Sequence, residues 1–368
     1  MRIPIKDGWF RGRRKIYLLI DINTACNLHC IHCFRNALTP PSSSIDREKL
    51  AVLEREVFPY VEKLSLAQSA EALATPILRN VMEASVRARI PFSCIQTNGT
   101  LLTEERSRML LDNGLTQMGF SLDAATKGTF ERIRKGASWE AVIENVETFV
   151  RLRNSHPTNR PSISFNFAMM RQNIVEAVDF IRFAKEMGAT SVTFAHLVIE
   201  TPEMKEWSLT TDPIESNRFS AALREEVRRL GFYARIPADL PEKIEPFRGP
   251  LLENPEYHGH CGAAHENWLF LMADGNCYPC LNLQDCGYIG NVFETPFRKI
   301  WYDRRNQDFR IRALKEGIAE GCDHCKDCVL TDDLGSEICF LAKRLTTQSA
   351  ADMDLGHRNG SFLPSPQT

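Results

Sequence analysis

The stretch IYLLIDINTACNLHCIHCF, residues 16–34, joins an apolar run to three closely spaced cysteines. Its first part, IYLLIDI (16–22), is typical of a buried β-strand. Cys26, Cys30 and Cys33 follow at once, so they lie in the loop at the carboxyl end of that strand. Parallel α/β folds place their functional groups at the carboxyl ends of strands. The stretch therefore predicts a functional loop at the rim of a sheet.

Short apolar runs alternate with longer helical segments from residue 16 to residue 197. After the first strand we predict five more: KLSLA (63–67), PFSCIQ (91–96), TQMGFSL (116–122), SISFNFAM (162–169) and SVTFAHL (191–197). This alternation predicts a parallel sheet with right-handed crossovers. The runs are nearly continuous in apolar character, which predicts strands buried on both faces. Six units are too few for a closed eight-stranded barrel, so the expected α/β fold is a partial, open (β/α)6 barrel.

The segments between these strands carry helix signals. They are DREKLAVLEREVFPYV (46–61), PILRNVMEASVRAR (76–89), TEERSRMLLDNG (103–114), SWEAVIENVETFVRLRN (138–154) and IVEAVDFIRFAKEMG (174–188). Thr103 and Ser138 are predicted N-caps, and Gly114 and Gly188 are predicted to end their helices.

Length and charge limit the class of protein. The 368 residues suffice for one large domain and a smaller one. We expect an N-terminal extension at 1–15, the barrel at 16–199, a bridging helix and linker at 200–256, a cysteine-rich domain at 257–345 and a flexible tail at 346–368. The net charge of −2 gives no electrostatic case for nucleic acid or a membrane surface as partner.

The cysteines point to metal. The first residues, MRIPIKDGWFRGRRK, contain no apolar signal-peptide core, and no run reaches membrane-spanning length. We therefore expect a cytoplasmic protein. In a reducing compartment, clustered Cys-x-x-Cys spacings among twelve cysteines favour metal ligands over disulfides or ordinary buried thiols.

The first three cysteines are close enough in sequence to ligate one iron–sulfur cubane. Three thiolates leave one iron of a four-iron cluster without a protein ligand, and such an open iron can bind a small molecule. Zinc is the alternative, with His29 or His32 as the fourth ligand. Zinc motifs more often use two pairs separated by a longer gap, which favours the iron–sulfur interpretation.

CNLHCIHCF (26–34) resembles the Cys-x3-Cys-x2-Cys signature of the radical S-adenosylmethionine (SAM) superfamily, with Phe34 as the aromatic residue after the last cysteine. That superfamily has a partial (β/α)6 barrel with this loop after its first strand. The resemblance implies a 4Fe–4S cluster on Cys26, Cys30 and Cys33, with SAM chelating the open iron. It further implies reductive cleavage of SAM, an electron donor such as flavodoxin or ferredoxin, and a 5′-deoxyadenosyl radical that abstracts hydrogen from a C–H bond.

The same resemblance assigns residues around SAM. In LSLAQSAEAL (64–73), Glu71 occupies the acidic position that would hold the methionine amino group, although the expected glycines are Gln68, Ser69 and Ala70. QTNGT (96–100) resembles the family's Thr-Asn-Gly turn, and FSLDA (120–124) resembles the stretch whose serine and acid approach SAM and substrate. The implied cofactor contacts are Phe34, Glu71, Asn98, Ser121, Asn166 and Leu197, and Asp123 is the implied catalytic acid.

Each of these assignments has an ordinary alternative. Glu71 could be a solvated glutamate at a helix start, and Asn98 could belong to a common Asn-Gly turn. Ser121 and Asp123 could simply cap the end of a strand.

A second group of cysteines lies in CGAAHENWLFLMADGNCYPC (261–280), at Cys286, in CDHCKDC (322–328) and at Cys339. Asp274 and Gly275 predict a hairpin turn between two short strands. This part resembles the SPASM and twitch extensions of radical SAM enzymes, which carry auxiliary iron–sulfur clusters. The chain departs from the full SPASM pattern at its end, where a lone Cys339 replaces a closely spaced cysteine pair.

Two ligand sets follow from this resemblance. Eight cysteines could complete two auxiliary 4Fe–4S clusters. Alternatively, Cys261, Cys280, Cys322 and Cys325 hold one cluster, and the other four cysteines have different roles. The auxiliary-cluster ligands that we expect are these four and Cys328, and Cys328 is a ligand only in the two-cluster arrangement. Any unligated cysteine facing the cavity could return hydrogen to a substrate radical, and the candidate donors are Cys277, Cys286 and Cys339.

The type of reaction and the substrate follow from these options. A cysteine donor would give an epimerase, whereas an auxiliary cluster that accepts an electron would give a dehydrogenation. About fifteen residues precede the first strand, too few for a leader-binding domain, so we expect a small natural-product substrate such as a sugar or aminoglycoside-like compound. A ribosomal-peptide maturase is the alternative. A non-catalytic iron–sulfur or zinc-binding protein is a more distant one, since an electron carrier would not need an open three-cysteine site.

Overall fold

The computed structural model describes residues 16–33, 35, 42–67, 69–197, 199, 201–237, 239–240, 267–280 and 287–315, with side chains through residue 311. Ten strands lie within these ranges: β1 Ile16–Ile20, β2 Val61–Leu66, β3 Phe92–Thr97, β4 Gln117–Ser121, β5 Ser162–Met169, β6 Ser191–His196, β7 Tyr233–Arg235, β8 Trp268–Leu271, β9 Asn276–Tyr278 and β10 Gly290–Asn291. They form one sheet in the order β10-β9-β8-β1-β2-β3-β4-β5-β6-β7.

Strands β1 to β7 are parallel, and all six predicted strands are confirmed to within two residues at each end. The sheet is that of the expected partial barrel, and β7 extends it beyond the six units. A strand of three residues, Tyr233–Arg235, is too short to show a periodic pattern, which is why the sequence did not predict it.

The described ranges contain ten α-helices: α1 Arg47–Glu56, α2 Leu78–Arg87, α3 Glu104–Asp112, α4 Lys127–Ile133, α5 Trp139–Ser155, α6 Ala177–Glu186, α7 Pro202–Trp207, α8 Pro213–Leu230, α9 Phe297–Trp301 and α10 Arg304–Lys315. The predicted caps are confirmed, because the side chains of Thr103 and Ser138 accept hydrogen bonds from N–H groups in the first turns of α3 and α5. Gly114 and Gly188 follow α3 and α6 with positive φ values of 69° and 78°.

Two helices of the barrel region, α1 and α4, differ from the prediction. Helix α1 ends at Glu56, and a 3-10 turn at Phe58–Tyr60 leads into β2, because Pro59 lacks the N–H group that would continue the helix. Helix α4 was not predicted at all. It has seven residues and includes Gly128, so its helical signal is weak.

The two faces of the central strands differ. On β5, the side chains of Ile163, Phe165 and Phe167 are fully buried on the outer face, whereas Asn166 and Ala168 on the inner face are partly exposed. The outer face packs against aromatic residues of the helices, as where Phe165 meets Phe180 with ring centroids 6.2 Å apart. The prediction that both faces are buried is therefore wrong for the inner face of β5, which is half-exposed and partly polar.

The cysteine-rich extension joins the sheet at its first strand. Strand β8 pairs in parallel with β1, placing Trp268 beside Tyr17, and β9 returns antiparallel to β8. The turn between them contains Asp274 and Gly275, the latter with φ 95°, as predicted for the hairpin. The extension thus packs beside the strand that leads into the three-cysteine loop. Among the described residues, no helix is long and apolar enough to cross a membrane.

Candidate functional site

The three-cysteine loop follows β1 and is tied to the loop after β2. The N–H group of Glu71 donates to the carbonyl of Ala25 at 3.0 Å, and the Asn23 side chain donates to the carbonyl of Glu71 at 3.1 Å. Farther along, the amide of Asn98 donates to Asn27 Oδ1 at 3.1 Å. The ends of β2 and β3 thereby fix one side of the cysteine loop.

The other side of the loop is held by the connection between α4 and α5. The N–H groups of His29 and Ile31 donate to the carbonyls of Lys135 and Ile133, both at 3.0 Å. These two backbone hydrogen bonds are two residues apart both in the cysteine loop and in the α4–α5 connection, so they form a short antiparallel ladder. The ladder places Cys30 opposite the residue between its two acceptors, Arg134.

The thiols of the loop are shielded from solvent but face hydrogen-bond donors that partly offset their burial. Cys30 is buried, and Cys26 and Cys33 are half-buried. Burial raises the pKa of the Cys30 and Cys33 thiols, while the Arg134 guanidinium lowers the pKa of Cys30 and the backbone N–H of Arg35 lowers that of Cys33. These donors stabilise the thiolate, which is the form that binds iron. The residues present therefore fit a 4Fe–4S cluster.

The geometry gives no support to a zinc ion in this loop. Within the described residues, no three His, Cys, Asp or Glu side chains converge on a single-ion site. A cubane does not need such convergence, because each cysteine binds a different iron atom. Of the two histidines proposed as a fourth zinc ligand, His29 is exposed, and His32 lies 3.5 Å from Asp123 Oδ2.

A buried group of charged side chains lies directly behind Cys30. Arg134 donates from Nη1 to Cys30 Sγ at 3.7 Å, and its Nη2 forms an ion pair with Asp123. Asp123 is 1% exposed. Burial lowers the pKa of His32, and the nearby Asp123 opposes this shift only in part.

The backbone and carboxylate of Asp123 are both fixed. Its φ of 62° lies in the left-handed region, which Asp and Asn adopt more readily than most residues. Its Oδ1 accepts from the N–H of Ala168 at 2.7 Å, and its carbonyl accepts from the Asn173 side chain at 2.9 Å. The carboxylate predicted to be catalytic is thus engaged with Arg134 and Ala168, which suits it to position other groups.

Glu71 caps the 3-10 turn Ala72–Ala74 but is only 2% exposed, so the alternative of a solvated helix-start glutamate is right about its position and wrong about its solvation. Its Oε1 accepts from the N–H of Leu73 at 3.1 Å and from Thr97 Oγ1 at 2.8 Å, and its Oε2 accepts from the N–H of Asn98 at 2.9 Å. Burial raises its pKa, and the three donors oppose that shift. A cationic amino group beside this carboxylate would offset the burial further.

Polar groups line the inner face of β3 to β6. Asn166 Nδ2 donates to Gln96 Oε1 at 2.6 Å, linking β5 to β3 across Gly119 of β4. Ser121 is paired in register with Asn166 and is partly exposed. Leu197 instead packs in a small apolar cluster that includes Ile133 and contacts Ile31 of the cysteine loop.

The second group of cysteines is described only in part. Six of these cysteines lie outside the described residues: Cys261, Cys286, Cys322, Cys325, Cys328 and Cys339. Phe34, of the first cysteine loop, also lies outside them. Cys280 is buried just after β9. Cys277 is fully buried in the main hydrophobic core, where its Sγ donates to the carbonyl of Gly275 at 3.5 Å and its pKa is raised to about 12 by burial. This packing does not favour Cys277 as a hydrogen donor, because its thiol lies among core side chains.

Several residues of the site were not predicted. Arg134 directly follows the missed helix α4 as its C-cap and is 104 positions from Cys30 in the sequence. Arg35 links the carbonyls of Thr24 and Ser69, at 2.5 and 3.1 Å, and so joins the cysteine loop to the loop after β2. Gln96 ends the predicted strand PFSCIQ, and the next predicted strand contains a glycine, so the two together could have indicated a close approach.

Comparison with known families assigns the fold and the loop. The family described as the radical SAM superfamily matches residues 20–184, which span the cysteine loop and β2 to β5. The chain belongs to the radical SAM superfamily. Residues 261–329 match the SPASM iron–sulfur cluster-binding domain, so the seven cysteines from Cys261 to Cys328 belong to an auxiliary-cluster domain. This radical SAM enzyme therefore uses SAM and a 4Fe–4S cluster at the barrel, together with auxiliary iron–sulfur ligation in its SPASM domain.

Known proteins resemble this radical SAM enzyme over most of its length. A GTP 3′,8-cyclase from Peptoclostridium acidaminophilum is 31% identical over 289 residues, which are 75% of this chain and 82% of the cyclase. A tungsten-containing aldehyde ferredoxin oxidoreductase cofactor-modifying protein from Pyrococcus furiosus is 25% identical over 348 residues, 86% of this chain and 90% of that protein. The structure of anSMEcpe with bound AdoMet and the Cp18Cys peptide has the same fold, with a TM-score of 0.63 and 18% identity over 89% of this chain and 95% of that one.

Proposed function

We propose that this radical SAM enzyme abstracts a hydrogen atom from a C–H bond of a small polar natural product, such as a sugar or an aminoglycoside-like compound. When bound, the cluster and SAM supply the 5′-deoxyadenosyl radical for this step. The protein's own part is to hold both cofactors at the rim, orient the substrate and keep water from the reacting atoms. An electron donor such as flavodoxin or ferredoxin would reduce the cluster in a reducing compartment such as the cytoplasm.

The inner face of the sheet is the observation that supports a polar substrate. This face carries four partly exposed polar residues: Gln96, Ser121, Asn166 and Thr193. The residues that precede each of them in the strands, on the outer face, are buried. Amides and hydroxyls at the base of a cavity bind hydroxyl or amide groups well, and reject apolar ligands that leave them unpaired. A substrate rich in hydroxyl groups suits this lining.

Residues around the loop would share the work of binding SAM. Cys26, Cys30 and Cys33 would hold the cluster, and the buried Glu71 carboxylate would receive the methionine amino group. Asn98 fastens the cysteine loop to the loop that carries Glu71, so its role would be to hold the site together. Ser121 and Asn166 lie side by side on the inner face of the sheet, and we retain them, with Phe34 and Leu197, as the remaining contacts proposed for SAM.

The environment of Cys277 bears on the number of auxiliary clusters. Two fully cysteine-ligated clusters would need all eight distal cysteines, and Cys277 lies in the hydrophobic core. We therefore favour one auxiliary cluster held by Cys261, Cys280, Cys322 and Cys325, with Cys328 as the alternative fourth ligand. Cys286 and Cys339 would then be the remaining candidate hydrogen donors, and the reaction would be an epimerisation. Dehydrogenation through an auxiliary cluster is the competing outcome.

A peptide substrate is the second candidate. The fold is shared with anSMEcpe, which has been solved with a peptide bound. A ribosomal-peptide maturase would need a much longer binding surface than a sugar-modifying enzyme.

SAM cleavage is the first test of the proposed function. The anaerobically reconstituted, dithionite-reduced enzyme is expected to convert SAM to 5′-deoxyadenosine, and the triple variant Cys26→Ala, Cys30→Ala, Cys33→Ala is expected not to do so. If the wild type holds its cluster and leaves SAM intact, the proposal fails.

The type of reaction is tested separately, in D2O, with candidate sugars, aminoglycosides and peptides. Epimerisation is expected to give a product that gains one deuterium and otherwise keeps the substrate mass. A product lighter by two hydrogens would instead indicate dehydrogenation. If the enzyme converts only peptides, the ribosomal-peptide maturase becomes the favoured function.

A further inference from the structure

An ion pair between Arg134 and Asp123 lies behind the cysteine loop, and His32 of that loop lies 3.5 Å from the same Asp123 carboxylate. The guanidinium of Arg134 contacts Cys30 Sγ with one nitrogen, at 3.7 Å, and Asp123 with the other. Both charged side chains are almost completely buried, at 8% and 1% exposure. A buried charge interacts more strongly with its neighbours than an exposed one, because water screens it less.

The position of Arg134 is set by the backbone around it. The hydrogen bonds of His29 and Ile31 to the carbonyls of Lys135 and Ile133 place Arg134 directly opposite Cys30. Arg134 also ends helix α4 and donates its N–H to the carbonyl of Phe130 at 2.7 Å. The ladder fixes the backbone of Arg134 opposite Cys30, and the ion pair with Asp123 holds its guanidinium beside the sulfur.

The position of Asp123 is equally fixed. Its carboxylate accepts from Ala168, and its carbonyl is held by Asn173, at 2.7 and 2.9 Å. The pair therefore presents a donor and a positive charge to the ligand sulfur, and a compensating negative charge one step farther away.

Such an arrangement acts on the electron affinity of the cluster. Hydrogen bonds to ligand sulfurs and the net charge nearby are two of the quantities that set the reduction potential of an iron–sulfur cluster. A donor to Cys30 Sγ stabilises the reduced, more negative cluster. Loss of Arg134 leaves the Asp123 carboxylate uncompensated, and loss of the Asp123 charge leaves the guanidinium uncompensated.

We propose that Arg134 and Asp123 together set the reduction potential of the SAM-binding cluster, with Arg134 raising it through Cys30 and Asp123 limiting that rise. Both are positioning residues, since they act through the cysteine ligand. The proposal requires the cluster that the superfamily carries and is independent of the substrate proposed above.

The test is an anaerobic redox titration of the full-length reconstituted enzyme, followed by electron paramagnetic resonance. The SAM-binding cluster is recognised as the signal that changes when SAM is added and that is missing from the triple cysteine variant. Iron and sulfide are counted first, so that variants are compared at equal cluster content. The variants are Arg134→Gln, Arg134→Lys and Asp123→Asn. Asparagine is chosen because it tolerates positive φ and retains the acceptor for Ala168.

The two charge changes are expected to act in opposite directions. At a fixed applied potential, Arg134→Gln should lower the ratio of reduced to oxidised cluster about tenfold, or about 59 mV for a one-electron couple. Asp123→Asn should raise the ratio by a similar factor, and Arg134→Lys, which keeps a positive donor, should stay closer to wild type.

Three results would overturn the proposal. The first is a ratio that changes less than twofold in both charge variants at full cluster content. The second is a shift of both variants in the same direction. The third is loss of iron from both Arg134→Gln and Asp123→Asn, which would give the pair a structural role in holding the loop. If only Arg134→Gln loses iron, the Asp123→Asn variant decides: a higher ratio of reduced to oxidised cluster supports the proposal, and a lower or unchanged ratio overturns it.

Discussion

The side-chain amide of Gln96 on β3 lies where a Cβ on Gly119 of β4 would be, so that any larger residue at position 119 would overlap Gln96 Oε1. Gln96 can therefore cross β4 and accept a hydrogen bond from Asn166 on β5 at 2.6 Å. A glycine within a strand often marks such a close approach. Gly119 and Gln96 together shape the polar inner face that we propose receives the substrate.

Replacing Gly119 by alanine should force Gln96 from this position. We expect Gly119→Ala to lower the free energy of unfolding by about 0.5–1.5 kcal/mol, because the end of the Gln96 side chain would move away and lose its hydrogen bond with Asn166. The measurement is urea unfolding of the reconstituted protein under anaerobic conditions.

The matched control is the same substitution in a Gln96→Ala background. Removing the Gln96 side chain clears the space, so Gly119→Ala should then cost less than 0.5 kcal/mol or even stabilise the strand slightly, by roughly the entropy that alanine removes from the unfolded chain. Equal costs in both backgrounds would show that Gln96 is not the obstacle.

Glu71 should affect both stability and SAM binding. In Glu71→Gln, one carboxylate oxygen becomes an NH2 group and faces a donor from Leu73, Thr97 or Asn98. We expect a loss of about 1–3 kcal/mol in stability and a fall of at least about tenfold in SAM affinity. Anaerobic equilibrium dialysis with SAM measures the affinity.

The control for Glu71 is Glu54→Gln, which removes a carboxylate that pairs with Arg87 on the surface. SAM affinity should not change in this variant. A Glu71→Gln protein that is destabilised but binds SAM as the wild type does would give Glu71 a purely structural role.

The parts of the fold set by local pattern were predictable, and the parts set by distant packing were not. The six barrel strands, the caps at Thr103 and Ser138 and the hairpin at Gly275 all depend on residues within a few positions of one another. The three cysteines were recognisable because their spacing brings three ligands within one loop.

The environment of those cysteines depends on contacts that sequence spacing does not record. Arg134 reaches Cys30 only because the α4–α5 connection pairs with the cysteine loop. The link from Gln96 to Asn166 depends on the strand register across Gly119. The pattern of β5, SISFNFAM, does alternate polar and apolar residues in its centre, and stricter attention to that period would have predicted its half-exposed inner face.

Cys277 and Cys280 should differ in their effect on iron content. Cys277 lies in the core beside the turn at Gly275, so Cys277→Ala should leave iron per chain unchanged and cost about 1 kcal/mol of stability, the value of one small buried group. Cys280→Ala removes a residue that we expect to bind the auxiliary cluster, and it should lower iron by about four per chain. Equal iron loss in both variants would make Cys277 a ligand and favour two auxiliary clusters.

His196 should make the stability of the fold depend on pH. Burial lowers the pKa of His196 to about 4, below the value near 6.5 that it has in the unfolded chain. Between these values the unfolded chain binds a proton that the folded chain does not, so stability decreases as the pH falls from 7.5 towards 4. The share of this one residue between pH 7.5 and pH 5.5 is about 1 kcal/mol. We therefore expect urea unfolding of His196→Leu to lose about 1 kcal/mol less than the wild type over that interval. Parallel curves for the two proteins would show that His196 is protonated as easily in the folded chain as in the unfolded one.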